Sequence, residues 1–157
     1  SGVYIDKIST DPWGYYYLYS ADDHLIRRGN DFGIDRLPFL DLKQQTIDEI
    51  CLESMVIVPN GDIGLLFPCM GEVVIFNRLG RIKFKLMVAI PTPSKLQYVE
   101  DKWIVVNADG QGQILDHVET SEFSIPIRAD EQLLDCTVNN RDMICLTNQR
   151  MLVLQFD

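Results

Sequence analysis

The chain has 157 residues, of which 46% are hydrophobic, 10% aromatic and 24% charged. That is the make-up of one packed globular domain or a piece of a larger one, and it excludes intrinsic disorder. Fourteen Lys and Arg face 23 Asp and Glu, a net charge of −9. An acidic chain without a basic footprint is not expected to bind nucleic acid. The densest basic stretch, Arg78, Arg81, Lys83 and Lys85, reads as a solvated strand face, as do Arg27 and Arg28. No apolar run approaches the ~20 residues that span a bilayer, so no membrane contact is expected within this segment. The first residues lack the basic and apolar regions of a signal peptide.

In chain order, the sequence reads as short apolar stretches separated by polar turns. Val3–Ser9, Tyr15–Tyr19, His24–Arg28 and Leu37–Leu42 make a first set of four strands. Asp41 to Ile50 is the only stretch of helical composition and is read as a connector with one turn of helix. Ile50–Val58, Ile63–Phe67, Val73–Asn77 and Arg81–Val88 make a second set, and Pro91, Pro93 and Ser94 mark a loop. Lys95–Val99, Trp103–Asn107, Gln113–His117 and Glu122–Ile127 make a third. Gln132–Val138, Met143–Thr147 and Met151–Phe156 make a fourth set that is one strand short.

Tyr17, Leu65, Val105 and Cys145 mark comparable points in these sets, at roughly the 40-residue period of a propeller blade. Asn60-Gly61 and Asp109-Gly110 supply the positive φ of tight hairpin turns. Tyr, Val, Ile and Phe suit pleated strands, and their near-continuous apolarity implies burial on both faces. The predicted fold is all-β. It is a β-propeller or partial propeller of four blade-like, four-stranded antiparallel repeats at about 3–42, 50–88, 95–127 and 132–157, the last incomplete. The chain is expected to be a fragment of a larger protein.

Asp11-Pro-Trp-Gly-Tyr-Tyr-Tyr-Leu-Tyr-Ser20, followed by Asp23-His-Leu-Ile-Arg27, resembles the two-component regulator propeller repeat of bacterial hybrid sensors. Tyr17 stands at that repeat's usual Trp and His24 at its second Gly, while Trp103 falls near the Trp position of the third copy. Val58-Pro-Asn-Gly-Asp-Ile-Gly-Leu-Leu66, then Val73-Val-Ile-Phe-Asn-Arg-Leu-Gly-Arg81, is similar to an NHL repeat. The first resemblance implies a ligand-sensing or signal-transmitting domain of a two-component receptor, periplasmic or extracytoplasmic. The second implies a cytoplasmic protein-interaction scaffold of NHL or WD type. A propeller hydrolase or lyase is a third reading.

Chemistry-bearing motifs are sparse. His24 and His117 lack metal-ligand spacing, no Cys-x-x-Cys pair occurs, and no Gly-rich loop leads into a helix. The pairs Asp22-Asp23, Asp48-Glu49, Glu100-Asp101 and Asp130-Glu131 read as solvated turns. No catalytic residue, metal or cofactor is therefore assigned, and the chain is expected not to be an enzyme. Trp13, in the Pro-Trp-Gly turn, is the first choice for an exposed binding residue, because a rim aromatic stacks on a sugar or anchors a partner. Tyr16, on the strand face opposite Tyr15 and Tyr17, His24 and Trp103 complete the binding candidates. The expected partners are a small ligand such as a glycan, or a protein, together with further blades of the same protein.

Cys51, Cys136 and Cys145 lie in apolar stretches and are read as small hydrophobes, with no Cys136–Cys145 disulfide expected. The redox state of all four cysteines, Cys69 included, stays open. The last strand, Met151–Phe156, carries no charge and reads as an edge needing a partner. Residues near Val3–Ile5 could cover it, or the same strand of a second molecule; a homodimer is favoured.

Overall fold

The computed structural model describes residues 4–45, 47 and 49–155. It is an all-β propeller unit of four small antiparallel sheets in which consecutive strands pair, one short strand of the first sheet excepted. Two compact units divide the chain: Ser1–Met70 with Val74–Lys85, and Gly71–Val73 with Leu86–Asp157.

In the first sheet β1 (Lys7–Thr10), β2 (Tyr16–Ser20) and β3 (Leu25–Asn30) pair in sequence. The expected fourth strand, Leu37–Leu42, does not form as one piece. Two fragments, β4 (Gly33–Ile34) and β5 (Leu40–Asp41), pair with opposite ends of β3. Pro38 lies between them, and a proline has no N–H to give to a ladder. The second sheet holds β6 (Ser54–Ile57), β7 (Ile63–Phe67), β8 (Glu72–Phe76) and β9 (Ile82–Met87). The expected helical turn is a 3-10 turn at Leu42–Gln44, capped by Asp41.

Within the first unit, Tyr17, Tyr19 and Ile26 of the first sheet pack with Met55, Ile63, Leu65, Phe67, Val74 and Phe76 of the second. Burying each such side chain contributes about 1.5–3 kcal/mol. Tyr17 and Leu65 thus belong to one core shared by facing sheets. Both lie on second strands, as the repeat spacing implies, but they point opposite ways, so the two repeats are offset by one residue in face.

Cys51 does not behave as a plain hydrophobe. A second 3-10 turn, Pro68–Met70, brings Cys69 to a Cα–Cα separation of 6.1 Å from Cys51, and the two form a disulfide. Cys136 and Cys145 remain free thiols.

The third sheet holds β10 (Pro93–Val99), β11 (Lys102–Asn107), β12 (Gln111–Leu115) and β13 (Ser121–Ser124). The fourth holds β14 (Leu133–Asn139), β15 (Asp142–Thr147) and β16 (Met151–Gln155). Phe156, the expected end of the last strand, and Val3, the expected start of the first, lie outside the described residues. Ile104 and Val106 share a core with Cys136, Met143 and Cys145 in the second unit.

One device closes a hairpin turn in each sheet. Asp11, Asn77 and Asn107 each use Oδ1, and Thr147 uses Oγ1, to accept the N–H groups two and four residues on, or two and three for Thr147. A short polar side chain replaces the ladder partner that the turning backbone loses. In the β10–β11 turn, Glu100 and Asp101 both take positive φ, 51° and 61°. This acidic pair therefore makes a tight primed hairpin turn in place of Asn-Gly.

Candidate functional site

The first unit carries a hollow of about 260 Å³ lined by Asp11, Trp13, Tyr15, Tyr17, Arg28, Gly61 and Arg78. Asp11 shapes one wall. Its Oδ1 accepts from the Trp13 and Tyr15 amides, both at 2.9 Å, and its Oδ2 accepts from the Tyr17 hydroxyl at 3.3 Å. The carboxylate thereby holds the Pro-Trp-Gly turn and leaves Trp13 53% exposed at the rim.

Arg28 stands opposite Tyr17 across the β2–β3 ladder. Its guanidinium carbon lies 5.0 Å from the Tyr15 ring centroid and 5.6 Å from that of Phe39, both cation–π distances. Its Nε donates to Asp35 at 2.9 Å. Burial works against the charge, yet Asp35 and Tyr17 outweigh it and raise the pKa above the usual arginine value. Burial, reinforced by the Asp11 charge, raises the Tyr17 pKa as well, so its phenol stays protonated. The floor is thus a fixed cation beside a fixed hydroxyl donor.

Arg78 completes the hollow from the β8–β9 turn, where Asn77 caps the backbone. Its aliphatic stem lies against Gly61, whose φ is +90°, at a point where any Cβ would collide with it. Arg78 is exposed and makes no ion pair among the described residues.

The binding candidates read from the sequence separate. Trp13 belongs to this hollow. Tyr16 points to the opposite face of β2, its ring over Gly29 and its hydroxyl donating to the Asn30 carbonyl at 2.9 Å. Trp103, in the second unit, is 7% exposed and packs edge-on to Tyr98 at 4.8 Å, so it offers little surface to a ligand. His24 borders another hollow, of about 320 Å³, with Asp6, Lys7, Tyr19, Cys51 and Glu53. There the Tyr19 hydroxyl and His24 Nδ1 are 2.9 Å apart, and His24 takes φ 56° at the position of the repeat's usual glycine. Burial, then the charges of Asp6 and Asp23, raise the Tyr19 pKa.

Arg28, Arg78, Tyr15 and Asp11 are site residues that sequence reasoning missed. The arginines sit in stretches that read as solvated strand faces. Strand alternation does put Tyr15 and Tyr17 on one face, the one signal available. Among the described residues no three His, Cys, Asp or Glu side chains converge as metal ligands, and no helix is long and apolar enough to cross a membrane.

No protein-family model matches the chain, and no curated protein matches it in sequence. Solved structures do. Virginiamycin B lyase from Staphylococcus aureus is 14% identical with a TM-score of 0.64, over 96% of this chain and 55% of that one. YCF48 bound to D1 peptide is 10% identical with a TM-score of 0.70, over 95% and 49%. The extracellular domain of the hybrid two-component system BT4673 from B. thetaiotaomicron is 14% identical with a TM-score of 0.60, over 94% and 21%. The chain spans about half the length of the lyases it matches. At these identities the likeness shows the fold alone, a β-propeller, and a two-component sensor domain is among the matching structures. The same comparisons correct the expectation that the chain is not an enzyme. Three matching structures are lyases, so a sequence without catalytic motifs in this fold does not exclude catalysis.

Proposed function

We propose that the chain is the ligand-sensing part of an extracytoplasmic receptor, with its ligand held in the hollow of Asp11, Trp13, Arg28 and Arg78. The observation that carries this reading is the pairing of a half-exposed indole, Trp13, with the Arg78 guanidinium, which meets no carboxylate among the described residues, around a preformed cavity. Preformed concave sites with a few placed polar groups are where small ligands bind. The Cys51–Cys69 disulfide supports an oxidising compartment, periplasmic or extracellular. Further blades of the same protein, or a second copy, complete the receptor. Nuclear magnetic resonance titration of the chain with a library of small metabolites and saccharides tests the reading. Shifts gathered at Trp13 and Arg28 support it, and shifts confined to other sheets refute it.

The second hollow favours one other reading, a lyase. His24 hydrogen-bonds Tyr19 beside a cavity, which is the arrangement of a general base with a proton relay. A catalytically inactive histidine-to-alanine variant is among the matching lyase structures, there with quinupristin. Turnover of a streptogramin by this chain, abolished in His24→Ala, would favour that reading over the sensor.

A further inference from the structure

We infer that the hollow at Trp13 selects a small monoanion with one flat face, such as a ring-bearing carboxylic acid. This rests on the ligand-sensing reading above and names the ligand's chemistry.

The inference comes from the charges already used within the hollow. Asp11 has its carboxylate held by two amides and the Tyr17 hydroxyl, neutral donors that orient it and keep its charge in the hollow. Arg28 is neutralised by Asp35 at 2.9 Å, and its face is covered by Tyr15 and Phe39. The carboxylate next in sequence to Gly61, on Asp62, is occupied by Lys83 at 2.6 Å and by Asn60 at 3.1 Å. Arg78 is left as the lining cation whose charge no carboxylate of the described residues meets. Its placement is built into the fold, because glycine at position 61 leaves room for its stem.

One unmatched guanidinium suits one negative charge. A planar carboxylate can take two parallel N–H bonds from it, which an isolated halide cannot. A dianion would leave its second charge near Asp11, whose own negative charge opposes it. Trp13, half exposed in the same hollow, offers an indole face that rewards a flat apolar or ring CH surface. A hollow of about 260 Å³ has room for one such ring and its acid group.

The test uses the 15N-labelled chain and five probes: benzoate, D-glucuronate, D-glucose, inorganic phosphate and chloride. Benzoate and glucuronate separate an aromatic from a saccharide source of the same group. Saturable shifts at Trp13 with either acid, weakened roughly tenfold or more in Arg78→Gln, are the expected result. Arg78 is exposed, and its removal leaves no buried group unpaired, so the variant keeps its fold; a superimposable spectrum away from the hollow confirms it. Binding of glucose as tight as that of glucuronate, or of phosphate tighter than both acids, would overturn the monoanion inference and leave the ligand hollow standing. No shift at the hollow with any probe, while the library titration finds ligands elsewhere, would overturn both.

Discussion

Arg150 donates from Nε to both carboxylate oxygens of Glu131, each at 3.1 Å, while the Glu131 side chain is fully withdrawn from solvent. The same carboxylate accepts from Thr147 Oγ1 at 2.7 Å and from the Arg128 amide N–H at 3.0 Å. Arg150 also donates to the Pro126 carbonyl at 2.8 Å. One buried charge thus ties the start of β14 to the β15–β16 turn and to the segment after β13.

These bonds, those from Arg150 first and from Thr147 next, pull the Glu131 pKa from an ordinary 4.5 to about 2. The folded-state value is the lower one, so the stabilisation is complete above the ordinary carboxylate pKa. It is lost as pH falls from about 4.5 towards about 2. Glu131→Gln is expected to lower the melting temperature at pH 7 and to flatten its fall across that window. Calorimetric melts of both proteins between pH 7 and pH 2 check this. Parallel curves would show that Glu131 does not titrate with folding.

The disulfide closes a sequence separation of 18 residues. A loop of that size is worth about 3 kcal/mol in the chain-entropy account. Reduction, or Cys51→Ala with Cys69→Ala, is expected to lower the melting temperature by roughly 2–4 °C per kcal/mol lost. Cys136 and Cys145 give no such response. They are directly paired across β14 and β15, buried and reduced, with Cys136 donating to Cys145 at 3.2 Å. That bond, then burial, holds the Cys136 proton in place. Thiol counting in the folded and unfolded protein, before and after reduction, separates the two pairs.

Asn107 is buried, and each end of its amide is engaged. Oδ1 accepts from Asp109 and Gln111, while Nδ2 donates to the Pro91 carbonyl at 2.8 Å. Asn107→Ala leaves those groups without partners and is expected to cost about 1–3 kcal/mol. Asn107→Asp keeps the acceptor but sets a buried carboxylate oxygen against the Pro91 carbonyl and Gln111 Oε1, so it is expected to cost at least as much as the alanine variant in urea unfolding. A wild-type midpoint for the alanine variant would show that water replaces the amide.

Much of the architecture was legible because its signals are local. Alternation, turn residues and the roughly 40-residue period locate most strands, and Gly61 and Gly110 take the positive φ their turns require. The first sheet's outer edge was misread because the apolar run Leu37–Leu42 contains Pro38. Cys51 was misread because its partner arrives through a 3-10 turn, which leaves no periodic trace. The site was half legible. Trp13 stands out as a large aromatic in a turn. Arg28 and Arg78 do not, since their meeting depends on facing sheets and on a missing Cβ at Gly61. Side-chain identity along a strand carries no record of what lies opposite it in another sheet.

Gly61→Ala probes that last relationship. At φ +90° an L side chain costs about 1–2 kcal/mol, and the new methyl would also displace the Arg78 stem. The variant is expected to fold, with a modestly lower melting temperature, and to lose the hollow's ligand affinity as fully as Arg78→Gln does. Full affinity in Gly61→Ala would show that Arg78 reaches the ligand from another position.

The fourth sheet carries the last prediction. Among the described residues, β16 pairs with β15 alone. The register sets Leu146 opposite Met151 and Ile144 opposite Val153, so these four share one face. Leu146, Met151 and Val153 are between 49% and 66% exposed, and Leu134 of β14 is 53% exposed. In the third sheet the residues that look towards the next sheet, Ile104 and Val106, are buried by Met143 and Cys145. The fourth sheet carries a like row of apolar residues that stays exposed among the described residues, beside an uncharged strand edge. Such an edge templates pairing with another chain. The 157-residue chain is therefore expected to self-associate as its concentration rises. Met151→Lys with Val153→Lys is expected to abolish this, because two charges on that face must be desolvated for a second sheet to pack. Sedimentation velocity across a hundredfold concentration range measures it. A particle that stays at 18.0 kDa throughout would show that this face remains in water.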